Sequence, residues 1–110
     1  MILVCPAAAA ATIINQPPVA NAGVDQTVVQ RSSVFLNGSA SYDPDGLIAK
    51  ALWRQISGTP VTLVNSGQLT ASFTAPRVTA NSIILVFELT VTDDDGVTAS
   101  DQVTIMVVKK

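Results

Sequence analysis

Histidine is absent from the 110-residue sequence, and cysteine occurs once, as Cys5. Without histidine the chain has no Ser-His or Cys-His pair to activate a nucleophile, and no histidine ligand for zinc. A single cysteine cannot form a disulfide within the chain, so Cys5 is expected to be a buried apolar contact rather than a reactive thiol. Because no nucleophile with a partnering base is visible, the sequence predicts a protein that is not an enzyme.

Charge is also scarce, since charged residues make up 13% of the chain, against roughly 25% in an average soluble domain. The net charge is −2, and the six basic residues are scattered apart from Lys109 and Lys110 at the end. This balance argues against nucleic acid as a partner, because nucleic acid binding needs clustered Lys and Arg. A surface with so little charge relies on neutral polar residues for solubility, or lies partly against other chains.

Residues 1–14 contain no charged side chain, and they are too few for a membrane span of about 20 apolar residues. Three interpretations stay open: a signal peptide remnant that lacks a basic region, a lipoprotein signal ending at Cys5, or a strand that pairs with another surface. Such an apolar segment is expected to be buried against something. Paired prolines then stop any β-ladder. We therefore interpret residues 1–16 as tail and linker, a candidate donor strand, and residues 17–110 as the folded domain.

Alternating apolar and polar residues predict an all-β domain. The longest expected strand covers residues 83–92, where alternate apolar residues share one face. Seven strands are expected in all, at residues 19–29 with a break at Gly23, 33–37, 47–55, 61–64, 69–73, 83–92 and 98–108. Short strands separated by turn residues, with no helical period, are typical of an antiparallel β-sandwich of immunoglobulin-like topology.

The strand at residues 47–55 carries the only tryptophan. Alternation places Ala49, Ala51 and Trp53 on one face of this strand. Trp53 is expected to anchor the core rather than to form a ligand platform, because it supplies a large apolar area.

Several motifs along the chain resemble those of polycystic-kidney-disease-type (PKD) domains, and they occur in the family's order. They are Asn15-Gln16-Pro17-Pro18-Val19-Ala20-Asn21-Ala22-Gly23, Leu36-Asn37-Gly38-Ser39-Ala40-Ser41-Tyr42-Asp43-Pro44-Asp45-Gly46, Trp53 with Gln55, Phe73-Thr74-Ala75-Pro76 and Leu89-Thr90-Val91-Thr92-Asp93-Asp94-Asp95-Gly96. The resemblance covers about residues 15–108 and implies a β-sandwich of extracellular or cell-surface proteins. Such domains act as spacers, adhesion modules or partner-binding modules, so the expected partners include carbohydrate or another cell-surface protein. The resemblance implies no catalysis.

Five of the eight carboxylates fall in two acidic turns, at residues 43–46 and 93–96. In an immunoglobulin-like sandwich the two corresponding loops lie at the same end as the start of the first strand. Some PKD-like domains hold calcium at this end, and calcium favours six to eight oxygen ligands. The resemblance therefore implies a calcium site whose matching positions are Asn15, Gln16, Asp43, Asp45 and Asp93.

Turn chemistry alone also explains both acidic stretches. Asp caps its own backbone in a tight turn and the following Gly supplies positive φ, so Asp43 would simply accept hydrogen bonds from loop amides. A glycosidase-like pair of Asp43 and Asp45 is a third interpretation, but no other feature suggests a sugar cleft. Two neighbouring residues are also candidates: Asn37 begins an Asn-Gly-Ser glycosylation sequon, and Tyr42 either packs over the acidic loop or contacts a partner.

Two functions follow from these observations. In the first, the chain is a structural subunit that associates head to tail into a filament, because its N-terminal segment adds as a strand to a neighbouring copy. The residues expected to enter the neighbour are Ile2, Leu3, Val4, Ile13 and Ile14. In the second, the chain is a spacer or adhesion module of a larger secreted or cell-surface protein, and calcium stiffens its junction with the preceding domain.

Overall fold

The computed structural model describes residues 15–110. The expectations for residues 1–14, which concern Cys5 and the inter-subunit residues Ile2, Leu3, Val4, Ile13 and Ile14, lie outside this range. Throughout the described range the chain forms strands, turns and loops, and it offers no helix long and apolar enough to cross a membrane.

Six strands form two sheets within residues 15–110. They are β1 (Gln26–Val29), β2 (Ser33–Asn37), β3 (Ile48–Ser57), β4 (Thr70–Thr74), β5 (Ser82–Asp93) and β6 (Thr98–Val108). One sheet has four strands in the order β1-β6-β5-β3, and the other pairs β2 with β4. Pairing is antiparallel except between β1 and β6, which run parallel. The all-β sandwich expected from the sequence is confirmed, with six described strands in place of seven.

The core lies between the two sheets, and both contribute to it. Period-2 alternation buries every second residue from Leu85 to Asp93 on β5 and from Val103 to Val107 on β6, and it includes the apolar residues expected to share a face. The rings of Phe73 from the small sheet and Phe87 from the large sheet lie 4.9 Å apart, centroid to centroid. Trp53 is 2% exposed, and its Nε1 donates to the Leu69 carbonyl at 3.1 Å. Trp53 is therefore a core anchor with its one polar atom satisfied.

The expectation that Ala49 faces the core is wrong. Ile48 pairs with Asp93 and Lys50 with Thr92, so Ala49 is an extra residue on its strand and is exposed. This β-bulge reverses the alternation on its N-terminal side. Ile48 therefore packs against the core in place of Ala49, while Ala51 packs against it as expected.

The strand expected at residues 61–64 is also wrong. One isolated bridge joins Val64 to Ser72, with N···O distances of 2.8 and 3.1 Å, and no ladder follows it. The Val61 amide instead donates to Oε1 of Gln55 on β3, at 2.9 Å. That bond, with packing of Val61 and Leu63 against the core, holds residues 61–63 out of a ladder with β4.

The first expected strand is divided into two pieces. Val19 forms a single bridge with Tyr42, and β1 begins only at Gln26. Gly23 lies between them with φ of +84°, and a Cβ there would sit 2.9 Å from the Asn37 carbonyl oxygen. Both facts favour glycine, so the break expected at this residue has a clear physical cause.

Candidate functional site

Both acidic turns lie at one end of the sandwich. The turn at residues 43–46 leads into β3, and the turn at residues 93–96 joins β5 to β6. Because Ile48 at the start of β3 pairs with Asp93 at the end of β5, the two turns are neighbours. The described chain also starts here. We call this group of Asn15, Gln16 and the two turns the acidic end.

Asp93 is the buried centre of its turn, with 2% of the residue exposed. Its Oδ1 accepts the amides of Asp95 and Val97 at 2.9 and 2.8 Å, which closes the β5–β6 connection. Its Oδ2 accepts Nδ2 of Asn15 at 2.8 Å. The Asn15 hydrogen bond is the main cause that lowers the pKa of Asp93, and the turn amides add to it against the opposing effect of burial.

Asp45 and Gln16 join the other turn to the start of the described chain. Oδ2 of Asp45 accepts the Gln16 amide at 2.8 Å, and the Asp45 amide donates to Oδ1 of Asp43 at 3.3 Å. Asn15 is thus bonded to the turn at residues 93–96, and its neighbour Gln16 is bonded to the turn at residues 43–46. The segment that precedes the sandwich is therefore fixed to it at two points.

Asp43 carries an unsatisfied carboxylate oxygen. Its Oδ2 is buried and has no hydrogen-bond partner among residues 15–110. Burial is the first cause that raises the pKa of Asp43, and the nearby carboxyl of Asp45 and the charge of Asp93 raise it further. The backbone amide of Asp45 opposes the shift. A buried acceptor without a donor is costly, so this atom is where a cation would have most effect.

Asp94 also lies near this group, although no role for it was expected from the sequence. A Cβ built on Gly46 would lie 3.1 Å from Oδ1 of Asp94 and 3.3 Å from Oδ2 of Asp43, so both carboxylates lie close to this glycine. A side chain at Gly46 would crowd both of them. The one feature of the sequence that could have indicated this is Gly46, but a glycine at this position is already explained by the turn.

The structure thus brings together Asn15, Gln16, Asp43, Asp45 and Asp93, the residues expected to bind calcium. Their contacts are hydrogen bonds that satisfy the two turns and the chain before them. No three His, Cys, Asp or Glu side chains within residues 15–110 form a group that could hold a metal ion. Any cation here would need amide and backbone oxygens in addition to the carboxylates.

Two further candidates lie near this end. Asn37, the last residue of β2, is exposed, and its Oδ1 accepts the Ser39 amide at 3.0 Å. Tyr42 is 55% exposed, while its backbone amide and carbonyl pair with Val19 at 3.0 and 2.7 Å. Tyr42 therefore leaves more than half of its surface open to solvent, while its backbone is held by Val19.

A family model described as K319L-like, PKD domain matches residues 22–107. The solution structure of the PKD domain from KIAA 1837 protein is 32% identical, with a TM-score of 0.69. The match covers 81% of this chain and 84% of that one. A comparison with curated protein sequences gave no match.

Two larger proteins share the fold. A nucleoside hydrolase-related hypothetical protein from Saccharophagus degradans is 23% identical, with a TM-score of 0.62, over 84% of this chain and 26% of its own. The 2,6-sialyltransferase of Vibrionaceae Photobacterium sp. JT-ISH-224 is 22% identical, with a TM-score of 0.60, over 77% of this chain and 17% of its own. The chain therefore spans about a quarter or less of each of these two proteins.

Proposed function

Because the chain belongs to the PKD domain family, we propose that it is a non-catalytic structural module of an extracellular or cell-surface protein. The family match over residues 22–107 supports this, and so does the occurrence of the same fold as a minor part of larger chains. In this proposal the acidic end is a junction that fixes the preceding segment to the sandwich. The observation that carries it is the pair of bonds from Asn15 to Asp93 and from Gln16 to Asp45.

Calcium binding at the acidic end is part of this proposal. Asp43 would be the central ligand, since its Oδ2 is buried without a donor. Asp45, Asp93 and the side-chain oxygens of Asn15 and Gln16 would complete the set once the two turns close around the ion, because no three carboxylates of the described residues are grouped closely enough to hold it and both oxygens of Asp93 accept hydrogen bonds. The neutral partners matter because carboxylates alone do not form a metal group in the described residues. Bound Ca²⁺ would supply positive charge that neutralises Asp43 and ties both turns to the preceding segment.

Thermal unfolding with and without Ca²⁺ tests the junction. At a Ca²⁺ concentration about 100 times its Kd, a single site would stabilise the fold by about 2.7 kcal/mol and raise the Tm by several degrees. Asp43→Asn should abolish this increase, whereas Asp95→Asn in the exposed part of the neighbouring turn should retain it. An equal Tm with Ca²⁺ and with chelator would refute calcium binding.

Self-association is a second candidate function. In it, residues 1–14 of one copy add as a strand to a neighbouring copy, and repetition of this contact gives a filament. The supporting observations are the absence of charge in residues 1–14 and the fixed point at Asn15 from which this segment departs. Light scattering over a wide concentration range tests it. Mass that rises with concentration is expected, and a monomer at every concentration would refute the candidate.

Asn37 is proposed as a glycan acceptor, since it is exposed at the end of β2 within an Asn-Gly-Ser sequon. Expression in a glycosylating host should add glycan mass that Ser39→Ala removes. An unchanged mass in that host would refute the assignment.

A further inference from the structure

A groove of about 590 Å³ runs beside the outer edge of β4. One wall is the end of the small sheet, and the other is the segment at residues 60–64. Its lining is mixed apolar and hydroxyl in character and includes Phe35, Pro60, Thr62, Val64, Thr74 and Pro76. We call it the β4 groove. Phe35 is 61% exposed and Val64 54% exposed, so apolar area is open to a partner.

The β4 groove exists because a backbone ladder stops after one step. Ser72 uses both its amide and its carbonyl on Val64. In an antiparallel pair, residues two apart direct their backbone groups to the same edge, so those of Thr74 also point into the groove. The Val64–Ser72 register would set Thr62 opposite Thr74, yet no hydrogen bond joins them. The amide and carbonyl of Ala75 bond to Ser32 and Arg31 on the β2 side, so the alternation makes Ser33–Thr74 a non-hydrogen-bonded pair of the small sheet. No backbone hydrogen bond of the described residues therefore engages the amide or carbonyl of Thr74.

Closure of the groove by its own wall is opposed by contacts already described. The Val61 amide is bound to Gln55, and the side chains of Val61 and Leu63 pack against the core. Moving Thr62 onto Thr74 would break these contacts. The unpaired edge is therefore a fixed feature, and such an edge accepts an added strand.

We propose that the β4 groove binds residues 1–14 of a second copy of this chain as an added strand, paired with Thr74; this rests on self-association, the second candidate function. The segment suits the groove because it is uncharged and rich in Ile, Leu, Val and Ala. Its main chain would satisfy Thr74, and its side chains would cover Phe35 and Val64. Five or six extended residues span about 17–20 Å, so the segment is long enough for a strand and a connection.

Chain direction favours a second copy over the same molecule. From Asn15 the described chain runs away from the acidic end, since β1 lies parallel to β6, which leaves that end at Thr98. The β4 groove lies at the other end of the small sheet, where β2 starts and β4 finishes. Residues 7–14 contain no Gly, Pro, Asn or Asp, the residues that favour tight reversal. In this proposal the segment extends away from its own sandwich and reaches the far end of another copy, which is a contact that does not close.

Complementary variants of the full chain test this contact. Phe35→Glu places a charge in the groove, so this variant should donate its segment but not accept one. Ile13→Asp places a charge in the segment, so this variant should accept but not donate. Light scattering should show a monomer for each alone and a one-to-one dimer for the mixture. Val24→Glu is the matched control, because Val24 is 81% exposed and outside the groove, and it should associate like the wild type.

A second pair of variants tests the backbone bond. Thr74→Pro removes the amide at the free edge, a position where a strand tolerates proline, and should weaken association about two- to tenfold. Thr74→Val keeps the amide, removes only the hydroxyl, and should leave association within about twofold of the wild type. Circular dichroism establishes whether each variant is folded. If Thr74→Pro does not fold, the association of Phe35→Glu decides whether the groove is the binding surface.

The outcomes separate the groove from self-association itself. A wild-type chain that is monomeric at all concentrations would overturn both. A wild type that associates, with Phe35→Glu associating equally well, would overturn the groove and leave self-association standing. If the two complementary variants are monomeric alone but fail to combine, the contact is intramolecular or symmetric, and the head-to-tail arrangement is overturned.

Discussion

At the residue scale, Asp43 and Asp93 are carboxylates in adjoining turns with opposite surroundings. Asp93 receives three donors, two from its own turn and one from Asn15. Asp43 has a buried oxygen without a donor and lies in the field of Asp45 and Asp93. The first arrangement favours the ionised form and the second disfavours it. The acidic end therefore contains one carboxylate, Asp93, that stabilises its turn, and another, Asp43, that has a buried oxygen without a donor.

Asp93→Ala should lower the Tm by several degrees at neutral pH, because three hydrogen-bond donors lose the acceptor that holds the turn and Asn15 in place. The pKa of Asp93 is lowered from 3.8, so its contribution is fully present above pH 3.8 and is lost as pH falls through the folded-state value. The Tm difference between wild type and Asp93→Ala should therefore shrink below pH 3.8. Thermal unfolding at several pH values measures it. A difference that stays constant down to strongly acidic pH would show that the carboxylate charge contributes nothing.

Asp43→Asn should behave in the opposite way without calcium. The pKa of Asp43 is raised from 3.8, so the folded state binds its proton more tightly, and ionisation above that range destabilises the fold. Asn keeps an acceptor for the Asp45 amide but carries no charge. The variant should match or exceed the wild-type Tm at pH 7 in chelator, and the gain should vanish as pH falls toward 3.8. A clearly lower Tm at pH 7 would contradict this account.

The sequence anticipated these residues only in part. A resemblance, joined to the rule that the two loops share an end, named the five residues that the structure brings together. Asp94 was missed because its position beside Gly46 depends on how the two turns pack together. The unsatisfied Oδ2 of Asp43 was missed because burial of one carboxylate oxygen also depends on that packing. Both are properties of loop packing, which no local pattern encodes.

At the element scale, the end of β2 depends on one glycine. A Cβ on Gly38 would overlap Cδ2 of Leu89 and lie 2.9 Å from the Leu69 carbonyl oxygen. That oxygen is held in place, because it accepts the Gly38 amide at 2.8 Å and Trp53 Nε1 at 3.1 Å. Gly38→Ala should therefore lower the free energy of unfolding by about 1–3 kcal/mol through overpacking.

Gly67→Ala is the matched control for this change. A Cβ on Gly67 meets nothing within 4 Å, so the substitution should alter stability by no more than about 0.5 kcal/mol. Urea unfolding of both variants measures the comparison. Equal stabilities for Gly38→Ala and Gly67→Ala would mean that the residues around Gly38 can move to accommodate a methyl group, contrary to the close packing in the structure.

Strand prediction from sequence succeeded or failed according to what determines each strand. For β5 and β6, which are long and half-buried, alternation alone identifies the buried face. For the start of β3 it failed at Ala49, because a bulge shifts the register without leaving a mark in the pattern. At residues 61–64 it failed because a side chain, Gln55, binds the backbone that a ladder would have used.

At the scale of the whole molecule, the described fold is built from residues well after the apolar segment. The buried apolar cluster extends from Ala22 to Val107. The hydrogen bonds that fix the start of the described chain come from Asn15 and Gln16. The lack of charge and the apolar character of residues 1–14 predict that they are buried against some surface, but the sequence does not identify that surface. The open edge at Thr74 arises where β4 meets the loop whose Val64 forms a single bridge with Ser72, eight residues later in the chain, and only the three-dimensional structure shows this meeting.

Removal of residues 1–14 separates the fold from the assembly. The shortened chain keeps the whole described core and the two bonds of the acidic end, so its free energy of unfolding should stay within about 0.5 kcal/mol of the full chain. It should also be monomeric at concentrations where the full chain associates, as measured by light scattering. Removal of residues 1–18 is the informative control, because it deletes Asn15 and Gln16 and should lower stability as well as association. A chain lacking only residues 1–14 that fails to fold would place the apolar segment in its own core, and one that still polymerises would show that another surface joins the copies.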